Sequence, residues 1–123
     1  MNVKRYLLDS NILIYHLNGE TKATDFILKN FNVCAISQIT FVEVLSFDFD
    51  EQEAVQVENL LKCFEIINAS DDIAQQCLKN RKVKKIKIPD NIIASTAQVN
   101  DLILVTRNID DFKQLDLRII NIF

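Results

Sequence analysis

Short apolar runs alternate along the chain with stretches whose apolar residues recur at helical spacing. The runs are typical of buried strands and lie at residues 6–8, 33–36, 63–67, 102–105 and 118–120. The intervening stretches follow helix-start residues. They predict helices over 10–17, from Thr21, over 37–45, over 51–61, from Ser70, from Pro89 and Asp90, and over 109–115.

The strands are solidly apolar, which predicts an α/β fold whose parallel sheet is covered by helices on both faces. The helix after Pro89 is apolar nearly all round and is therefore predicted to be buried. Right-handed connections place the C-terminal ends of all strands on one edge, where such sheets bind ligands. The 123 residues fit one domain, 1–123.

Composition narrows the classes of function. The chain has a single glycine and a single proline, which excludes glycine-rich phosphate-binding loops. The net charge of −3 gives no global sign of nucleic-acid binding. No apolar run approaches the ~20 residues that span a bilayer, and the N-terminus lacks a signal-peptide pattern. We therefore expect a cytoplasmic protein with no membrane partner.

The cysteines and the histidine offer little chemistry. Cys34, Cys63 and Cys77 form no CxxC pair, and we expect reduced, buried thiols. The single histidine, His16, has no neighbours at metal-ligand spacing, which argues against a zinc site. We expect it to be a partly packed helix residue.

Acidic residues stand where the predicted strands end or the helices begin. Asp9 ends the first strand, Asp90 begins the buried helix, and Asp110 and Asp111 follow the fourth strand. Each has a structural explanation when taken alone. Asp9 could cap the next helix, Asp90 is an ordinary helix start, and the other two could be solvated. In the predicted sheet, however, they converge on one edge.

Glu43 is the hardest acid to explain structurally. Apolar residues surround it within a predicted helix, where a carboxylate is costly without a lysine or arginine partner. Clustered carboxylates repel one another, and a hard divalent cation compensates for this. Mg²⁺ takes oxygen ligands and keeps several waters, as phosphodiester chemistry requires.

Four segments of the chain resemble the PIN domain family, and within it the small VapC-type toxin ribonucleases. They are LLDSNIL at 7–13, SQITFVE at 37–43, PDNIIASTA at 89–97 and VTRNIDDF at 105–112. The resemblance covers essentially the whole chain and implies a five-stranded parallel sheet of order 3-2-1-4-5. It also implies an Mg²⁺-dependent endoribonuclease, with Mn²⁺ as a substitute, that a cognate antitoxin holds in check.

By position, the resemblance makes Asp9, Glu43 and Asp90 catalytic acids that hold the metal. Many relatives have an aspartate where this chain has Asn108, often with another acid three residues on. We therefore take Asp111 as the fourth catalytic and metal-binding carboxylate, with Asn108 in support.

Three further residues are expected to support the carboxylates. Ser10 and Thr106 supply hydroxyls that orient them, and Asn11 stands beside Asp9. Ser10 stands where relatives often have threonine, a change that keeps the hydroxyl.

A basic segment, residues 79–87, ends three residues before Asp90. The remainder of the chain carries 8 basic and 17 acidic residues, so the charge is strongly asymmetric. Such asymmetry suits an anionic partner, although cations also suit the end of a helix. The predicted RNA-binding residues are Arg81, Lys82, Lys84, Lys85 and Lys87, with Lys79 in the same segment. An acidic stretch of an antitoxin could use the same patch.

The expected partners are RNA, with tRNA among the candidate targets, a cognate antitoxin and a second copy in a homodimer. Two other classes of protein stay open. One is a non-catalytic binding module on the same fold, which Asn108 could signal. The other is a receiver-like phosphoacceptor domain, which is also doubly wound.

Overall fold

The structure is a computed structural model that describes residues 3–123. Its five strands form one parallel sheet in the order β3-β2-β1-β4-β5. They are β1 (Tyr6–Leu8), β2 (Cys34–Ser37), β3 (Glu65–Ile67), β4 (Ile103–Val105) and β5 (Ile119–Ile120). The predicted fold class and the strand order that the resemblance implies are both confirmed.

Helices connect the strands. They are α1 (Ser10–Leu17), α2 (Thr21–Asn30), α3 (Gln38–Leu45), α4 (Glu51–Leu61), α5 (Asp71–Val83), α6 (Ile88–Val99) and α7 (Ile109–Phe112). Several begin where a side chain accepts a backbone N–H of the first turn, as do Asp9 for α1, Ser37 for α3 and Ser70 for α5. Local capping chemistry thus fixes where the chain turns away from the sheet.

The sheet separates two apolar cores. Leu8 and Val105 belong to the core that α1 to α4 cover, whereas Leu7 and Leu104 belong to the core that α6 covers. Successive strand residues point to opposite faces, so β1 and β4 need apolar side chains at both positions. This is why these strands are solidly apolar in the sequence.

The central strands β1 and β4 lie side by side, with Leu8 opposite Val105. The backbone N–H of Asp9 donates to the Val105 carbonyl at 2.9 Å. Strand order reverses at this pair, because β2 lies on the other side of β1. Such a switch point is where doubly wound sheets bind ligands, and Asp9 and Thr106 stand at it.

Some predicted boundaries are wrong. Helix α2 does begin at Thr21, after the N-cap residue Glu20, which makes no side-chain capping bond. Val33 closes a 3₁₀ turn (Phe31–Val33), so β2 begins one residue later than predicted. Cys63 lies in the turn after α4, where its N–H donates to the Leu60 carbonyl. The edge strands β3 and β5 are correspondingly shorter than predicted.

The cysteine prediction is correct in part. All three thiols are free, and Cys34 is buried, which raises the pKa of its thiol to about 12. Cys63 is exposed and Cys77 half-buried, so burial was wrongly predicted for these two.

Across residues 3–123, every helix falls short of the length and apolarity needed to cross a bilayer.

Candidate active site

Asp9 is held at the switch point by three donors. The backbone N of Ser10 donates to its Oδ1 at 2.7 Å, and Thr106 Oγ1 donates to its Oδ2 at 2.8 Å. Asn11 Nδ2 donates to the same Oδ2 at a longer 3.4 Å. The Asp9 side chain is both a cap of α1 and part of the edge, so the two explanations of this residue coexist.

Burial raises the pKa of Asp9 to about 6. The residue is only 5% exposed, and desolvation disfavours the charged carboxylate. The Thr106 hydroxyl and the Ser10 N–H oppose this rise, whereas the charges of Asp90 and Glu43 add to it. The sheet edge therefore holds Asp9 in a position where its own charge is unfavourable.

Glu43 reaches the same edge from α3. Its Oε1 accepts a hydrogen bond from Ser10 Oγ at 2.6 Å, and Thr40 Oγ1 lies 3.4 Å from the same hydroxyl. No lysine or arginine within residues 3–123 forms an ion pair with Glu43. The mid-helix carboxylate is thus explained by a serine hydroxyl next to Asp9 rather than by a cation.

Asp90 lies in the first turn of α6, after Pro89, where a negative charge suits the helix dipole. Burial raises its pKa, and the charges of Asp111 and Glu43 raise it further, while Lys87 lowers it. Asp90 therefore interacts with acids on both sides of it. It links buried Asp9, after β1, and half-buried Glu43, on α3, to the acid on α7.

Asp111 is the most loosely held of the four acids. It is exposed on the four-residue helix α7, and with Asp90 it lines a cleft beside the basic segment. Asn108 precedes α7, and its backbone N–H donates to Thr106 Oγ1 at 3.0 Å. Asp110 forms an exposed ion pair with Lys113. The structure therefore brings Asp111, rather than Asp110, next to Asp90.

The four acids form one electrostatic group, and none of them makes a salt bridge with a lysine or arginine of residues 3–123, although Lys87 lowers the pKa of Asp90. No three histidine, cysteine or acidic side chains of that region already stand where they could hold a metal ion together. The donor set nevertheless fits Mg²⁺, because carboxylate oxygens that repel one another are hard ligands in need of positive charge. Glu43 and Asp111 are only half-buried and exposed, respectively, so they have room to approach an ion.

The basic segment contains two kinds of cation. Lys82, Lys85 and Lys87 are exposed, and the last two line the cleft with Asp90 and Asp111. Lys84 instead donates to the Asp110 carbonyl at 2.6 Å and lies 3.4 Å from the Lys113 carbonyl. Arg81 donates to the Ile86 carbonyl at 2.9 Å. Two of the five predicted RNA-binding residues thus have structural contacts.

An amide network between α5 and α6 was not predicted. Asn80 is buried, and its Nδ2 lies within 3.0 Å of acceptors on Asn91, Ser95 and Gln98. Asn91 Nδ2 donates to the Cys77 carbonyl at 2.9 Å. The network fixes α6 against α5 close to Asp90. The sequence signal for it is the set of polar residues Asn91, Ser95 and Gln98, which are spaced four and three residues apart along α6.

His16 lies away from the acids, on α1. Its Nδ1 is 2.7 Å from Thr24 Oγ1 of α2, and the ring is half-buried. This contact agrees with the prediction of a partly packed helix residue.

The family model for the PIN domain matches residues 6–117. The chain is 31% identical over 117 residues to Ribonuclease VapC10 of Mycobacterium tuberculosis, covering 89% of this chain and 87% of that protein. This chain belongs to the PIN domain family.

Solved structures agree with the family assignment. A toxin-antitoxin complex from Klebsiella pneumoniae contains a chain with a TM-score of 0.81 and 34% identity, covering 96% of this chain and 98% of that one. VapBC2 from Rickettsia felis, bound to a DNA fragment from its promoter, has a TM-score of 0.77 and 27% identity, covering 94% of this chain and 97% of that one.

Receiver domains have the strand order 2-1-3-4-5, whereas this sheet has the order 3-2-1-4-5. The receiver-like alternative is therefore wrong.

Proposed function

We propose that this chain is an Mg²⁺-dependent endoribonuclease, with Mn²⁺ able to substitute, and the toxin of a toxin–antitoxin pair. The observation that carries the proposal is the convergence of four carboxylates at the β1–β4 switch point. Burial raises the pKa of both Asp9 and Asp90, and the charges of neighbouring acids act in the same direction: Asp90 and Glu43 on Asp9, and Asp111 and Glu43 on Asp90. The ribonuclease and toxin names of the relatives supply the reaction class.

The site residues have two roles: four acids would hold the metal, and neighbouring groups orient those acids. Asp9, Glu43, Asp90 and Asp111 would hold the cation, and Asn108, whose backbone N–H donates to Thr106 Oγ1, would support the same edge. Thr106 and the Ser10 N–H fix the two oxygens of Asp9, while the Ser10 hydroxyl fixes Glu43. These second contacts orient the ligands, as outer partners of metal sites do.

A divalent cation bound there would activate water for attack on phosphorus and stabilise charge on the phosphoryl oxygens. The products would carry 5′-phosphate and 3′-hydroxyl ends, because water rather than the RNA 2′-hydroxyl attacks. The basic segment would hold the RNA backbone beside the acids through Lys82, Lys85 and Lys87. We expect this activity in the cytoplasm, where the proposed RNA substrate is found.

The protein partners follow from the relatives. Because the chain resembles chains of toxin-antitoxin complexes, we expect a cognate antitoxin to bind it and suppress cleavage. We also expect a homodimer. Light scattering of the purified chain, alone and with the product of a small neighbouring reading frame, measures both assemblies. A purified chain that stays monomeric and does not bind that product would contradict both expectations.

The proposal is tested by incubating the antitoxin-free protein with total tRNA and Mg²⁺ or Mn²⁺. We expect cleavage that excess EDTA abolishes and that Asp90→Asn lacks. Asp110→Asn is the matched control, because it removes a neighbouring exposed acid that pairs with Lys113. Cleavage undiminished in EDTA would contradict the metal mechanism.

A non-catalytic module on the same fold is the second candidate. Asn108 at a position where relatives often carry an acid favours it. The two candidates differ in metal binding: a module without a metal site shows no thermal shift on addition of Mn²⁺, whereas the nuclease does.

A further inference from the structure

Arg107 is a fixed, exposed cation that directly follows Thr106. Its guanidinium carbon lies 5.1 Å from the centroid of the Tyr15 ring and 4.7 Å from that of Phe123. These two rings pack edge to face, with their centroids 5.0 Å apart. Stacking on aromatic faces holds a guanidinium in place while its N–H groups stay available at the rim.

The charge of Arg107 is not balanced by an acid. Its guanidinium forms no ion pair with any carboxylate of residues 3–123. Arg107 is not among the charges that shift the pKa of Asp9 or Asp90 either. It therefore presents a cation at the edge of the site without neutralising the site itself.

Arg107 and the basic segment lie on opposite sides of the sheet. Tyr15 and Phe123 pack against the core that α1 to α4 cover, whereas Ile86 of the basic segment belongs to the other core. The acids project from the sheet edge between them. Two clefts meet at Asp111: one also contains Lys85, Lys87 and Asp90, and the other contains Arg107 and Asn108.

We propose that Arg107 binds a backbone phosphate of the RNA, so that the strand crosses the acids between Arg107 and the basic segment. This inference rests on the proposed function and adds a substrate contact to it. The four acids repel the strand that they must approach, and a cation on each side holds it there. A pre-oriented guanidinium also matches two phosphate oxygens, which a lysine ammonium does not.

The test measures the salt dependence of RNA binding in EDTA. The probe is a fluorescein-labelled single-stranded RNA of about 12 nucleotides, followed by anisotropy between about 50 and 200 mM salt. All proteins carry Asp90→Asn, which prevents cleavage and removes one repelling charge. Losing one phosphate contact flattens the slope of log K against log salt by about 0.7 for a single strand.

Arg107→Met should show this flattening together with weaker binding. Arg5→Met is the matched control, because Arg5 also stacks on a ring, that of Tyr6 at 5.5 Å, but precedes β1 at the opposite edge of the sheet. Arg107→Lys should recover most of the slope, which a purely structural role of the arginine in holding Phe123 does not predict.

An Arg107→Met slope equal to that of the parent, or a loss that Arg5→Met shares, would overturn this inference and leave the proposed function standing. A parent that binds no RNA at low salt would contradict the proposed function itself.

Discussion

The sheet edge that carries the four acids, here called the acid edge, has a rigid half around Asp9 and a loose half around Asp111. Asp9 is buried, and its two oxygens accept hydrogen bonds from Ser10, Thr106 and Asn11. Asp111 is exposed on a helix of four residues, where its own N–H donates to the Asn108 carbonyl at 3.2 Å and Lys84 donates to the carbonyl of Asp110. The difference shows how one site combines a pre-positioned ligand with an adjustable one. In the metal-free protein, burial makes the charge of Asp9 in the rigid half unfavourable.

Asp9→Asn should lower RNA cleavage far more than Asp111→Asn. We expect about a thousandfold loss for Asp9 and about tenfold for Asp111, because a metal ligand contributes several kcal/mol to the transition state and a loose ligand can be replaced by water. Single-turnover cleavage of tRNA measures both. Equal losses for the two variants would remove the distinction between the halves.

Thr106→Val tests whether the rigidity itself matters. Removing the hydroxyl that donates to Asp9 should raise the Mn²⁺ concentration for half-maximal cleavage about 10- to 100-fold. Thr96→Val is the matched control, since Thr96 is equally buried but donates to the Ile92 carbonyl within α6. If both variants shift the Mn²⁺ requirement alike, Thr106 acts on the fold rather than on Asp9.

The cost of the rigid half should show in the pH dependence of stability. The pKa of Asp9 is about 6 in the folded protein and 3.8 as the reference value. Below about pH 3 the carboxyl is mostly protonated in both states and costs little. As the pH rises to 6, Asp9 ionises first in the unfolded chain. The free energy of unfolding therefore falls by on the order of 2 to 3 kcal/mol, and this full decrease persists above pH 6.

Urea unfolding in EDTA between about pH 4 and pH 7 measures this loss. Asp9→Asn should lack most of it while keeping an oxygen for the Ser10 N–H. A variant whose stability falls with pH as steeply as that of the wild type would mean that Asp9 is not the strained group.

The smallest effect is expected in the loose half. Lys84→Met should release α7 and lower cleavage by at most about fivefold, because hydrogen bonds of a half-exposed ammonium contribute about 1 kcal/mol or less. Hydrogen exchange of residues 109–113 should quicken. Lys85→Met, its neighbour, should leave that exchange unchanged and instead weaken RNA binding, most strongly at low salt. The reverse pattern would show that the roles of these two lysines were exchanged.

Much of the rigid half could be predicted from the sequence. Apolar runs located β1 and β4, and Asp9 stands directly after the first run at the sheet edge. The supporting role of Thr106 came from the resemblance to the PIN domain family. Glu43 was predicted as a site residue because a carboxylate among apolar residues of a helix is costly without a partner. The Ser10 hydroxyl that pairs with it depends on the angle between α1 and α3, which no local pattern encodes.

The loose half and the flanking cations were less predictable. Lys84 and Lys85 have the same chemistry in the sequence, and only the packing of the α5–α6 connection against α7 distinguishes them. Arg107 meets Tyr15 and Phe123 through tertiary contacts between distant parts of the chain. The short edge strands were predicted too long, because apolar residues continue into the adjoining turns.

The central claim, that the acid edge binds a divalent cation, is tested most directly by melting curves of the wild type and Asp9→Asn in EDTA and in excess Mn²⁺. A ligand that binds only the folded state raises its stability. We predict that Mn²⁺ raises the Tm of the wild type and not that of Asp9→Asn, and that in EDTA the variant melts at the same temperature or higher. A variant that melts lower in EDTA yet keeps the full Mn²⁺ shift would contradict the account.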